Sequence, residues 1–273
     1  VAPSILFFIS IVSYFSGIFM NSFIYSNIFI ILLGILSLIN MGSNFIKTKS
    51  KVLEILKKNK IIVIIYVLIS IVMLGFRSRV WDDFSHWLLT VRNMTIFNGL
   101  SGNPNSTIFF KTYPPATAII QYLFNYISKF DLIKGSLEYN SQFITNYFIF
   151  IILISIIEMT KLEKKTKMIL YPILFVLPAV FNSEIYISLY EDITLAILGV
   201  YIIVFYENIK DKEKNNKYIQ LDMFLAVIFL SLVKSTGTAI IVFCLIYMLL
   251  DIILLKNKII GIKTILITLV SDR

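Results

Sequence analysis

Eight apolar runs of roughly 15–20 residues dominate this chain, and they leave room for only one kind of fold. They lie at about 4–20, 23–40, 61–76, 142–159, 168–182, 188–206, 219–233 and 236–255, with a ninth near 259–270. A hydrocarbon core of about 30 Å is crossed by about 20 apolar residues in helical form, and shorter runs suffice when flanking side chains snorkel. The whole chain is 58% hydrophobic and 15% charged, against about 45–50% and 25% in a soluble domain. A water-facing surface cannot be built from that remainder. A soluble enzyme, a secreted disulfide scaffold and a disordered chain are excluded. The expected fold is an all-α polytopic membrane domain over residues 1–273, with 8–9 transmembrane helices.

The net charge of +9 sorts with these runs. Basic residues favour cytoplasmic loops. Lys47, Lys49, Lys51, Lys57, Lys58 and Lys60 lie between the second and third runs. Lys161, Lys164, Lys165 and Lys167, then Lys210, Lys212, Lys214 and Lys217, then Lys256, Lys258 and Lys263 fill the alternate connections, seventeen of the 25 basic residues on one side. This alternation puts the N-terminus in the cytoplasm and makes about 77–141 a large non-cytoplasmic loop. The basic excess is topological, and nucleic acid is not an expected partner. The lone cysteine, Cys244, sits among Ile, Val and Leu and reads as packing. The chain begins at Val1 and ends just past an apolar stretch, so a piece of a longer protein is expected.

The outer loop gathers the unusual residues. Both tryptophans, the only histidine and three of the four arginines fall within residues 77–92: Arg77, Arg79, Trp81, His86, Trp87 and Arg92. At 100° per residue, Phe84, Trp87, Leu88 and Val91 share one face of a helix over 82–97, and Asp82, Asp83, His86, Thr90 and Asn93 share the other. That pattern predicts a helix lying flat in the interface, aromatics down and carboxylates toward water. Farther on, Tyr113-Pro114-Pro115 fixes the start of an apolar helix of about 12 residues, too short to span but suited to a re-entrant or interfacial element. Two more polar groups reach the same side. Glu191 and Asp192 open the sixth run, and Lys234 sits in the tight Lys234-Ser235-Thr236-Gly237 connection.

Carboxylates and cations around one cavity suit a reaction that activates a hydroxyl and expels a phosphate. A carboxylate takes the hydroxyl proton. Arg, Lys or a divalent metal ion held by Asp82, Asp83 and His86 stabilises the departing phosphate. The competing reading is an interfacial anchor, with Arg snorkelling and Asp solvated.

Trp81-Asp82-Asp83-Phe84-Ser85-His86-Trp87, just after a span, resembles the acidic-pair motif of the GT-C superfamily of membrane glycosyltransferases, which includes protein mannosyltransferases and aminoarabinose transferases. Tyr113-Pro114-Pro115 is similar to that family's later segment in the same loop. Tyr190-Glu191-Asp192 and Lys234-Ser235-Thr236-Gly237 are similar to later positions. The resemblance covers roughly residues 61–240. It implies a multi-pass enzyme of the cell membrane that works on the outer face. There it would move a sugar from a polyprenyl-phosphate donor to an acceptor glycan, lipid or protein. It also implies that one of Asp82 and Asp83 is the base, and that Lys234, Arg77, Arg79 and Arg92 meet the phosphate, with His86, Tyr113, Glu191 and Asp192 around the substrate. An envelope polysaccharide polymerase or ligase and a lipid-linked-glycan transporter or flippase are the alternatives.

Overall fold

A helix forms at each of the eight apolar runs. The computed structural model describes residues 2–44, 60–72, 80–108, 111, 113–128, 136–210 and 217–255, together with isolated positions between 49 and 57. The ninth run, Arg77 and Arg79 lie outside the described residues. Helices α1 (Ala2–Phe19), α2 (Ile24–Ser43) and α3 (Lys60–Val72) precede the segment that holds the acidic pair. That segment carries a π-helical turn, Asp83–Trp87, running directly into α4 (Leu88–Phe97), and then α5 (Ala116–Ser128). The rest is α6 (Leu137–Met159), α7 (Lys164–Phe181), α8 (Glu191–Lys210), α9 (Lys217–Ser231) and α10 (Thr236–Leu255). Among the described residues there is no strand.

Four of these helices are long and apolar enough to cross a membrane: Ile24–Ser43, Leu137–Met159, Glu191–Lys210 and Thr236–Leu254. The described apolar parts of α1 and α9 are shorter, Pro3–Phe19 and Gln220–Ser231. Helix α7 has the length but carries Lys164, Lys165 and Lys167 in its first turn.

Aromatic rings join the bundle at its centre. Phe7 of α1, Phe148 of α6 and Phe229 of α9 meet pairwise at 4.8–6.0 Å between ring centroids, and Tyr201 of α8 approaches Phe7 at 6.0 Å. All four are buried. Such rings bury more area than any aliphatic side chain, and edge contacts add about 0.5–1.5 kcal/mol per pair. Cys244 is buried with its thiol toward the Gly199 carbonyl, in keeping with a packing role.

Polar ties close the two ends of α8. At its last turn Lys210 Nζ pairs with Asp251 Oδ1 of α10 at 2.9 Å and with Glu207 at 2.7 Å, and the Tyr206 hydroxyl donates to Asp251 Oδ2. Asn208 Nδ2 also donates to the Met159 carbonyl, satisfying the end of α6. At the other end stands the candidate site.

Helix α5 is enclosed by protein rather than laid on a surface. Residues 116–123 are all buried, and the helix packs against α1, α4 and α6. Its start is fixed by two bonds, from Ala116 N–H to the Leu232 carbonyl at 2.7 Å and from Ser10 Oγ to the Ala116 carbonyl at 2.8 Å. A polar row at Thr117, Gln121 and Asn125, spaced i, i+4, i+8, then lies along one face. Gln121 donates to Thr145 and Asn125 to Ser141, both on α6. These bonds meet the desolvation cost that would otherwise forbid amides inside the bundle.

Candidate functional site

The chain reaches the acidic pair through the π-turn. The Leu88 N–H bonds to the Asp83 carbonyl, an i→i+5 link. A π-turn inserts one extra residue into the helical register. Asp83 therefore takes the buried line that Phe84 would hold in a regular helix, and Phe84 turns outward. The expected orientation is overturned in consequence. Asp83, His86, Thr90 and Asn93 are buried, whereas Trp81 and Phe84 are exposed. The polar face packs into the protein, and its groups are met by bonds. Thr90 Oγ1 donates to the His86 carbonyl, and Asn93 Nδ2 donates to the Leu89 carbonyl.

Asp83, with no exposed surface, accepts the Leu189 backbone N–H at 3.0 Å through Oδ1. This single bond joins positions 106 residues apart and fixes the segment that leads into α8. Asp82 keeps part of its surface exposed and lies near the Tyr190 hydroxyl. Burial first, then the neighbouring Asp82, Glu184 and Asp83 carboxylates, push the Tyr190 phenol above its ordinary range, so it stays protonated.

One residue farther, Glu191 is buried and its Oε1 accepts the Thr117 hydroxyl of α5. Asp192 points outward and pairs with Lys234 Nζ at 2.7 Å. Lys234 also stands over the Trp87 ring, 5.8 Å from its centroid. A ring face attracts an ammonium within about 6 Å, so Trp87 and Asp192 together hold the cation on one side of the cluster. His86 lies against Trp87 and Tyr113, with centroids at 4.4 and 5.0 Å. Burial lowers the His86 pKa below its ordinary value, Asp82 opposes this and Lys234 adds to it, which favours neutral imidazole.

The hairpin that delivers Lys234 depends on one glycine. A Cβ on Gly237 would sit 2.1 Å from the Leu230 carbonyl oxygen, and the Gly237 N–H closes the turn onto the Lys234 carbonyl at 2.8 Å. No side chain fits there. The glycine lets α10 begin immediately after α9, with Lys234 at the apex.

No family model, curated protein or solved structure matches this chain. The site is therefore judged on its geometry.

That geometry brings together seven of the ten residues singled out in the sequence: Asp82, Asp83, His86, Tyr113, Glu191, Asp192 and Lys234. Arg92 is not among them. It is exposed on the outer face of α4, away from the buried line. Arg77 and Arg79 lie outside the described residues. Among the described residues no three His, Cys, Asp or Glu side chains are grouped to hold a metal ion, so Asp82, Asp83 and His86 do not form the ligand set considered above. Thr117, Tyr190 and the Leu189 N–H join the cluster without having been candidates. A row of polar residues at i, i+4, i+8 after Pro114-Pro115 was the available signal for Thr117.

The cluster is partly buried: Asp83 and Glu191 are buried, whereas Asp192 is exposed. Thr117 lines a void of about 10 Å³ with Ile120, Gln121, Thr145 and Phe148. Burying carboxylates is costly unless their hydrogen bonds are met.

Proposed function

We propose that the chain is a membrane glycosyltransferase that moves a sugar from a polyprenyl-phosphate donor to an acceptor hydroxyl on the outer face of the cell membrane. The observation that carries this reading is the convergence of Asp82, Asp83, His86, Tyr113, Glu191, Asp192 and Lys234, drawn from four separate segments, on one partly buried cluster. In the same reading all eight apolar helices cross the bilayer, with the lysine-rich connections in the cytoplasm.

The two aspartates divide the work. Asp83 is committed to the Leu189 N–H and positions the 189–192 segment. Asp82, partly exposed and beside Tyr190, is the general base. The acceptor oxygen attacks the anomeric carbon as its proton passes to Asp82. The bond between that carbon and the phosphate oxygen breaks, and the negative charge left on the lipid phosphate is met by Lys234. A general base positioned this way contributes typically 10²–10⁴-fold, and a fixed cation at the developing charge a comparable factor.

The test is sugar transfer by the full-length protein in vesicles, supplied with polyprenyl-phosphate monosaccharides. Asp82→Asn is expected to lower transfer at least about a hundredfold with membrane insertion unchanged. Wild-type transfer by Asp82→Asn removes the assignment. Activity with oligosaccharide-lipid donors alone would point instead to a polysaccharide polymerase or ligase.

A further inference from the structure

We propose that a sodium ion binds beside Glu191, at the closed end of a polar row between α5 and α6, and ties α8 to those two helices. The claim stands apart from the transferase reading, because it asks for neither a sugar nor a phosphate.

The row is continuous. Asn140 Nδ2 of α6 donates to Ser128 Oγ at the partly exposed end of α5. One turn deeper, Asn125 Nδ2 donates to Ser141 Oγ, and a turn beyond that Gln121 Nε2 donates to Thr145 Oγ1 at 2.8 Å. Thr117 comes last, its hydroxyl donating to Glu191 Oε1 at the start of α8. Thr117, Gln121 and Thr145 share the void of about 10 Å³, room for about one water molecule. Polar side chains at i and i+4 along α5 offer a small cation a way in that the apolar faces of the bundle do not.

The row ends on oxygens that the protein leaves unmet. Glu191 is 2% exposed, and its Oε2 has no hydrogen-bond partner among the described residues. Thr194, one turn along the same face of α8, is 1% exposed, and its Oγ1 is likewise without a partner among them. A third such oxygen, Gln142 Oε1, belongs to α6, against which α8 packs. Unpaired acceptors inside a protein are costly, and an uncompensated carboxylate is costlier still. Lys234 does not fill the need, since Asp192 holds it at 2.7 Å. Asp192 and Asp83 add their own negative charge around Glu191.

The donor set selects the ion. The unmet atoms are all oxygen, which suits a hard cation rather than a transition metal. One carboxylate balances one positive charge, whereas calcium sites gather several, and no three acidic, His or Cys groups are collected among the described residues. A hydroxyl can offer its lone pairs to the ion and turn its proton away. Space for about one water suits sodium better than the larger potassium ion.

The experiment uses the full chain in phosphatidylcholine nanodiscs, in sodium, potassium or choline chloride at a common ionic strength of about 0.15 M, so that screening is constant. Sodium is expected to raise the unfolding temperature by about 3 °C over choline, and radioactive sodium to bind saturably. Thr194→Val keeps the side chain's shape and removes its oxygen. It should match the wild type in choline, lose the sodium shift and weaken sodium binding about tenfold, and Thr194→Ser should restore both. Glu191→Gln should abolish binding, and if that variant fails to fold the two Thr194 variants decide. Equal unfolding in sodium and choline without saturable binding overturns the proposal in favour of ordered water. An equal shift in potassium overturns the choice of ion. Stabilisation by magnesium or calcium alone overturns it in favour of a divalent site. A sodium shift that survives in Thr194→Val places the ion elsewhere and overturns the site. Sugar transfer is read in none of these arms, so the transferase reading can fail without altering the result.

Discussion

Through Oδ1 the Asp83 carboxylate accepts the Leu189 N–H, and asparagine offers an oxygen at the same place. Asp83→Asn is therefore expected to unfold within about 1 kcal/mol of wild type. Asp83→Leu leaves a buried N–H unpaired and should cost about 1–3 kcal/mol, read from thermal unfolding in detergent. Asp82→Asn is expected to show the opposite profile, with stability retained and transfer lost. His86 supplies a pH signature of the same cluster. Its pKa lies below the ordinary value of about 6.5, burial being the main cause. The unfolded chain then binds a proton near pH 6.5 that the folded chain refuses, so the stability tied to neutral His86 is complete above that pH and is lost as the pH falls below it. Thermal unfolding at about pH 7.5 and 5.5 should show a decline that His86→Gln reduces. An identical decline in His86→Gln contradicts the assignment.

At the scale of elements, the α9–α10 hairpin is the part least able to accommodate change. Gly237→Ala forces a methyl against the Leu230 carbonyl oxygen. Shifting backbone out of the way should cost roughly 1–3 kcal/mol or more and displace Lys234 with it, checked by unfolding and by loss of phosphate-probe binding together. Element existence was legible before any coordinates. Runs of apolar residues bounded by lysines can do little but form helices, and Pro114-Pro115 marked the start of α5 within two residues. The π-turn was not legible, because a 100° periodicity assumes every turn holds 3.6 residues and cannot register an inserted one. That single residue brings Asp83 into the buried line and turns Phe84 out, while Trp87, Leu88 and Val91 stay buried. Nor could periodicity foresee that polar groups such as Thr117, Gln121 and Asn125 face inward, since their burial is decided by partners on other helices, Thr145 and Ser141 of α6 and Glu191 of α8.

For the whole molecule, the aromatic junction of Phe7, Phe148, Phe229 and Tyr201 holds α1, α6, α9 and α8 together beneath the site. Phe148→Ala should cost about 3–5 kcal/mol, and because Phe148 also lines the void beside Thr117 its loss should loosen the seat of α5. The central claim is larger than any one of these contacts. Under the proposed function, residues 82–83 and 190–192, more than a hundred positions apart, belong to one site that opens to the outer side. Cross-linking of an Asp82→Cys, Tyr190→Cys pair on a Cys244→Ser background by a short, membrane-impermeant bifunctional thiol reagent tests this most directly, scored in sealed cells. Rapid linking of the pair by reagent added from outside is the expected result, because a bridge of side-chain length spans the gap that the tyrosine ring fills in the wild type. Two cysteines that stay unlinked, or that are reached only from the cytoplasmic side, would contradict it.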